Sequence, residues 1–307
     1  MQLALDPLMH CDRPLPDVVR LVADLGWENL ELCSRDDFFP EYWPPRADST
    51  RIREFKQALR QTGMNLVSLL LTYRWASPDE EERQAAVRYW KRALPIVKEI
   101  ECQTVNSIFD RGPSPQSAAF AGPEVHAEAS EAAFWKSMEE LLPIFESEEL
   151  PLHIEAHPDD FVEENNLAVD MIRSIDSPWV KYLYCAPHTF HLGEDVAAML
   201  RYAAPVLAHV HVADSFNHKR GWRYIMNPAG TPARIHQHLD IGAGEVDWEA
   251  FFGTLGEINF DGIMTSQVFA WDGERAVQSS RFMLGKMREY VDKYWNQPWQ
   301  KSTSAPS

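Results

Sequence analysis

Cysteine is scarce in this 307-residue chain: the four, Cys11, Cys33, Cys102 and Cys185, are widely separated and include no CxxC pair. Neither a disulfide framework nor an all-thiolate zinc module is indicated by that spacing. No strand-like segment runs into a glycine-rich turn of the dinucleotide-binding kind, which leaves a doubly wound open sheet without its usual signature. No apolar run is long enough to span a bilayer. Positive charge is also short, with Lys+Arg 29 against Asp+Glu 46 and a formal charge of -17. Without a local basic patch, that balance opposes a phosphate backbone or an anionic lipid surface, so neither nucleic acid nor membrane is an expected partner. Residues 1–11 already contain Asp6 and His10 and show no basic stretch followed by an apolar one. No secretory leader is expected, and a reducing cytoplasm is the expected compartment.

What is present is the composition of a globular protein, 45% apolar and 24% charged. Short β-rich runs alternate with segments of helical period. The strand candidates are 2–6, 29–33, 65–71, 102–107, 152–156, 180–185, 207–213 and 262–268; the helix candidates are 17–25, 50–61, 78–100, 130–148, 164–175, 194–203, 247–255 and 273–294. The strands are nearly continuous apolar runs, as parallel strands covered on both faces should be. Ser77 and Ser49 sit where helix N-caps are needed, and Gly26 and Gly63 where helices should stop. Eight successive units predict a (β/α)8 barrel, one domain over 1–294 with a flexible tail at 295–307. Long connections follow strands two, four and seven, at the end where a barrel keeps its reactive face.

Histidine supplies the functional signal. Nine of the 11 fall between His153 and His238, most of them at or just past strands five to seven. Alternation puts His153, Glu155 and His157 on one face of strand five, and His209 and His211 on one face of strand seven. A single strand histidine is ordinarily a hydrogen-bonded core residue. So many ionisable rings at one end of a barrel would be costly as packing alone, and with a carboxylate among them they suit a divalent ion. Arg74, Arg220 and Arg223 are candidates for sugar hydroxyls or an acidic aglycone, with a solvated loop charge as the alternative. Trp75, Trp222, Phe269 and Trp271 are candidates for an aromatic platform, with core packing as the alternative.

The segments Ile154-Glu155-Ala156-His157-Pro158, His211-Val212-Ala213-Asp214 and Gly242-Ala243-Gly244-Glu245-Val246-Asp247-Trp248 together resemble the xylose-isomerase-like superfamily of barrels. Thr72-Tyr73-Arg74-Trp75, Cys185-Ala186-Pro187-His188 and Arg223-Tyr224-Ile225-Met226-Asn227-Pro228 look more specifically like its inositol-catabolism branch, with the metal-binding large subunit of C-glycoside deglycosidases close by. The resemblance implies a metal held by a Glu, an Asp, a His and a Glu from strands five to eight. Here Glu155 and His211 match the first and third positions, Cys185-Ala186-Pro187-His188 replaces the Asp-x-x-His, and Gln267 stands for the last Glu. His236-Gln237-His238 takes the place of an Asp-x-His pair that holds a further metal in a nuclease branch.

One divalent ion is therefore expected, manganese first, with zinc, cobalt, iron or magnesium as alternatives. Its expected neighbours are Glu155, His188, His211 and Gln267. His157 and His238 are the expected proton carriers, and His153, His209, His236 and Cys185 stand in reserve. Two neutral ligands in place of anions would leave the ion more strongly polarising. The chemistry that follows is proton abstraction next to a sugar carbonyl. Elimination from a 3-oxo-C-glycoside, by a lyase completed by a small partner subunit, is the leading outcome. Isomerisation or epimerisation of a keto-sugar or inosose is the first alternative, and a non-catalytic metal- and polyol-binding subunit the second.

Overall fold

The computed structural model describes residues 1–33, 48–110, 123–158, 160–192, 195–217, 225–226, 232–233 and 237–295. The barrel strands are β1 (Gln2–Leu5), β2 (Asn29–Cys33), β3 (Asn65–Leu70), β4 (Thr104–Ile108), β5 (Leu152–Glu155), β6 (Val180–Cys185), β7 (Leu207–Val212) and β8 (Ile263–Ser266). They close in sequence order, β8 pairing with β1, and every barrel pairing is parallel. Between and after them run α1 (Leu15–Asp24), α2 (Ser49–Thr62), α3 (Glu80–Glu99), α4 (Pro123–Ser147), α5 (Asn165–Ile175), α6 (Val196–Ala203), α7 (Trp248–Glu257) and α8 (Gly273–Trp295). The expected (β/α)8 barrel is what the chain forms. An antiparallel pair, Ile225–Met226 with Pro232–Ala233, lies between β7 and α7. Among the described residues, no helix is long and apolar enough to cross a membrane.

Helix ends follow their capping chemistry, with one correction to the sequence reading. The N-caps of α2 and α3 are Asp48 and Asp79, whose carboxylates each accept from two backbone amides, and not Ser49 and Ser77. An aspartate one or two residues away supplies both an acceptor and a charge matched to the helix dipole, so it outcompetes the serine. Gly63 ends α2 at φ 70°, a left-handed conformation that costs glycine little. Helix α4 starts at Pro123 and not at 130, because proline suits the first turn, where its missing N–H is no loss. Helix α8 continues through Trp295, whose indole donates to the Phe260 carbonyl at 3.1 Å; the rest of the expected tail, residues 296–307, lies outside the described ones.

Alternation divides each strand between two environments. On the helix-facing side, Leu30, Leu32, Ile154, Val210 and Val212 are fully buried in the apolar layer. On the barrel side, Glu31, Asn106, His153, Glu155, His209 and His211 are buried as well, and the interior is polar to an unusual degree for a packed core. The register sets Asn106 beside His153, Cys185 beside His211, and His211 beside Thr265. Beyond β7, Asp214 gathers the backbone amides of Ser215, Gly242 and Val246 and the Trp248 indole at 2.8–3.1 Å. Gly244 is required there, since a Cβ would lie 2.4 Å from both the Asp214 carboxylate and the Ser215 carbonyl.

Candidate functional site

The barrel's carboxyl end holds a chain of ionisable groups that begins at a residue the sequence reading missed. Glu31 on β2 is fully buried and accepts from His211 Nε2 at 2.8 Å through Oε1. Its Oε2 accepts from Asn106 Nδ2 at 3.0 Å and Thr265 Oγ1 at 3.1 Å, with His209 Nε2 also 3.1 Å away. Burial would raise this carboxyl, but the neighbouring His211 and His209 outweigh it and hold Glu31 below the ordinary carboxylate range. The signal was present: an acid between Leu30 and Leu32, on the inward parity of an apolar strand.

His211 donates from Nε2 to Glu31, which leaves Nδ1 as the ring atom that points at Glu155. His211 Nδ1 and Glu155 Oε2 lie 3.2 Å apart, both buried and both without a hydrogen-bond partner. His188, in the helical turn Ala186–Thr189 after β6, brings Nδ1 to 3.5 Å from the same Oε2. His238 Nδ1 donates to the Gln267 backbone carbonyl at 2.7 Å, so its Nε2 accepts from His188 Nε2 at 3.1 Å. A backbone carbonyl thus fixes which nitrogen of His238 meets His188, and His188 presents its Nδ1 to Glu155.

Charge is distributed accordingly. Burial acts to raise Glu155, yet His211 and His188 hold it well below its usual range. Burial pulls His188 down, but Cys185 and Glu155 beside it push it up to about 10. His211 rises well above its ordinary value, since Glu31 and Glu155 flank it and outweigh its burial. The outer rings go the other way. Burial, aided by His209, takes His153 down to about 3, and burial also lowers His209 and His238. The inner pair of imidazoles therefore balances two carboxylates, while the outer rings are neutral.

The family of this fold implies a metal ion, and the residues present fit one. Glu155, Cys185 and His211 each offer a donor atom within 4.8 Å of the others, and Cys185, His188 and His238 do the same. Glu155 Oε2 and His211 Nδ1 are buried and face each other without forming a hydrogen bond, and a divalent ion taking the place of the imidazole proton would join them. Gln267 Oε1 stands 4.0 Å from Cys185 Sγ at the β8 side of the same space.

His157 lies above this centre. Its ring centroid is 4.5 Å from that of His188, and its Nδ1 donates to the Pro158 carbonyl at 2.7 Å, leaving Nε2 as the basic atom. At 14% its side chain is more exposed than those of His153, His188, His209, His211 and His238. Asp160 Oδ1 is 3.7 Å from His157 Nδ1, and burial beside Asp110 raises Asp160 well above the carboxylate range. His238 is fully buried, stacked on Phe269 at 3.9 Å, with both ring nitrogens engaged. That placement suits orienting His188 and not carrying a proton to a substrate.

The expected substrate-binding residues divide. Trp75 is a correction: it is fully buried, donates to the Ile108 carbonyl at 3.1 Å and packs on Trp90 and Phe134, because its large apolar area is worth more inside than at a rim. Phe269 is likewise buried, against His238. Arg74 is tied to Asp110 at 3.0 Å and faces Glu82 at 3.6 Å, which gives it a structural role at the ends of β3 and β4. Trp271 stays partly exposed, its indole bonded to Asp240 at 2.9 Å and its face covered by Arg275 at 3.3 Å. Arg220, Trp222, Arg223 and His236 lie outside the described residues.

Glu31→Gln is expected to weaken divalent-ion binding about 10- to 100-fold, the usual effect of removing the carboxylate that orients a ligating imidazole. Titration calorimetry measures it, and an unchanged affinity would show that Glu31 serves packing alone.

A closed parallel barrel with a metal-fitted cluster at the carboxyl ends of its strands has the layout of a (β/α)8 enzyme. The sequence matches the family model described as xylose isomerase-like TIM barrel over residues 19–286, and the chain belongs to that family. Among solved structures of the same fold, the apo form of 3-keto-D-glucoside 4-epimerase, YcjR, from E. coli has 17% sequence identity and a TM-score of 0.71, covering 94% of this chain and 99% of its own. The IOLI protein with a bound zinc atom has 16% identity and a TM-score of 0.73, covering 97% and 100%. D-psicose 3-epimerase in the presence of D-fructose has 14% identity and a TM-score of 0.73, also covering 97% and 100%. No curated protein sequence matches the chain.

Proposed function

We propose that this protein is a metal-dependent keto-sugar enzyme that abstracts the proton alpha to a sugar carbonyl. The observation that carries the reading is the convergence of Glu155 Oε2 and His211 Nδ1 at 3.2 Å beneath the partly exposed His157. Glu155, His211 and His188 would hold the ion, with Gln267 at the β8 side. When bound, a divalent ion supplies Lewis-acid polarisation of a substrate carbonyl. His157 Nε2 takes the proton, with its other nitrogen pinned on the Pro158 carbonyl so that the ring presents a fixed basic edge. His238 keeps His188 in the ligating tautomer.

A 3-oxo-glycoside is the substrate class we favour, since one neighbour in fold is named a 3-keto-D-glucoside epimerase and the family resemblance points to 3-oxo-C-glycosides. Elimination of the aglycone is the preferred outcome. Epimerisation needs a proton-transfer group on each face of the reacting carbon. At the β8 side of the site, with β6 and β7 between it and β5, this chain offers Gln267, whose amide does not exchange protons in that way. Epimerisation or isomerisation of a keto-sugar is the second reading, favoured by the names of the neighbours.

Incubation with a divalent ion and a 3-oxo-C-glucoside in deuterated water separates these outcomes. NMR should show exchange at the carbon alpha to the ketone, and chromatography should show free aglycone, in one arm with the small partner subunit that the deglycosidase resemblance implies. Exchange with a new sugar epimer and no aglycone in either arm would establish the second reading. Neither exchange nor release, from a chain shown to hold its ion, would leave a non-catalytic binding role.

A further inference from the structure

The residue that stands where related barrels are expected to carry an aspartate is Cys185, the last residue of β6 and fully buried. Its register partner on β7 is His211. Cys185 is common to two of the donor clusters, one with Glu155 and His211 and the other with His188 and His238, each spanning no more than 4.8 Å between ligand atoms. An independent observation marks the same point as a cation site: Glu155 Oε2 and His211 Nδ1 are buried, face each other, and make no hydrogen bond. The thiol also lies 4.0 Å from Gln267 Oε1, the outer limit for a sulfur donor.

We propose that Cys185 ligates the ion as a thiolate and thereby selects a borderline, thiophilic metal, zinc or cobalt(II), over manganese or magnesium. This rests on the metal centre of the proposed function and adds the class of ion it takes. Bonds of about 2.3 Å to sulfur and about 2.0–2.1 Å to nitrogen put neighbouring donors of a tetrahedral site roughly 3.6 Å apart, which a small contraction of the observed cluster achieves. Charge agrees with geometry. A thiolate and the Glu155 carboxylate neutralise a divalent ion, so the anion missing from β6 by comparison with an aspartate is restored as sulfur. On binding, the thiol proton leaves to solvent and the Cys185 sulfur lone pair forms the new bond. Manganese and magnesium favour oxygen donors, whereas thiolate with imidazole favours zinc and cobalt. Zinc or cobalt is therefore proposed in place of the manganese expected from sequence.

Cobalt(II) reports the sulfur directly. The full chain, stripped with chelator and reloaded with cobalt, should show a near-ultraviolet sulfur-to-cobalt charge-transfer absorption besides its visible bands. Cys185→Ser should lose that absorption while Cys33→Ser keeps it, and Cys185→Asp should bind cobalt without it and move competition between zinc and manganese at least tenfold toward manganese. X-ray absorption at the zinc edge of the unsubstituted chain should give one sulfur neighbour, a measurement that does not depend on any variant folding. Cobalt uptake by the parent chain without the charge-transfer band, or a zinc shell of nitrogen and oxygen only, overturns the thiolate ligand and leaves the metal centre standing. Failure of the parent chain to take up cobalt or zinc at all overturns both.

Discussion

His157→Ala is expected to lower turnover of a 3-oxo-glycoside by about 10²- to 10⁴-fold, the range for removing a general base, while the content of bound metal stays at the parent level. The split between the two measurements carries the argument. His157 bonds to the Pro158 carbonyl and stands over His188, whereas the atoms that converge at 3.2 Å belong to Glu155 and His211. His211→Ala should therefore lose metal and turnover together, because it removes the ring that contacts both Glu31 and Glu155 among the described residues. His238→Ala should fall between, with weaker metal binding, since it releases the His188 tautomer. Metal analysis beside steady-state kinetics on the three variants decides the matter. Equal metal loss in all three would mean that His157 is a ligand and that the base has been misassigned.

Metal binding should release protons and tighten steeply with pH. In the metal-free protein His188 is pushed up to about 10 and His211 well above its ordinary value, so both are charged at neutral pH. Ligation needs the Nδ1 lone pair of each, and the protons there must leave. Affinity should then rise up to tenfold per pH unit for each proton released, about 100-fold for the two imidazole protons besides the one that a ligating Cys185 gives up, and the imidazole part levels off as pH approaches the His188 value. The sign for stability is the reverse in the metal-free state. A histidine raised above its unfolded value stabilises the fold below about pH 6.5, and that contribution is lost as pH rises through about 10. Glu155, held low, stabilises above its unfolded value near 4.5 and loses that contribution on acidification. Calorimetric titration in buffers of different ionisation enthalpy counts the protons, and denaturation scans with and without metal should diverge increasingly above neutrality. A pH-independent affinity with no proton release would mean that His188 and His211 are already neutral without metal.

Local pattern was sufficient for the architecture. The eight strands fall within two residues or so of their expected limits, because a strand buried on both faces must be an apolar run and a helix around it must show its own period. The same alternation made His153, Glu155, His209 and His211 legible as inward-facing, since parity is a local property of the chain. Caps were read less well: Asp48 and Asp79 prevail over nearby serines as acceptors whose charge also matches the helix dipole.

The roles within the cluster were decided by tertiary structure alone. Glu31 sits on β2, far in sequence from His211 on β7, and only barrel closure brings them to 2.8 Å and so determines which nitrogen of His211 is available. Trp75 and Trp271 look alike in the chain, yet one is enclosed by Trp90 and Phe134 and the other remains at the rim. His238 and His157 are equivalent as residue types. They part because a carbonyl and a second imidazole occupy the two nitrogens of a fully buried His238, while His157 keeps part of its side chain exposed. Residue type states which protons and lone pairs a chain can offer; direction, and with it the choice between ligand, orienter and base, exists only after strands distant in sequence have been set side by side.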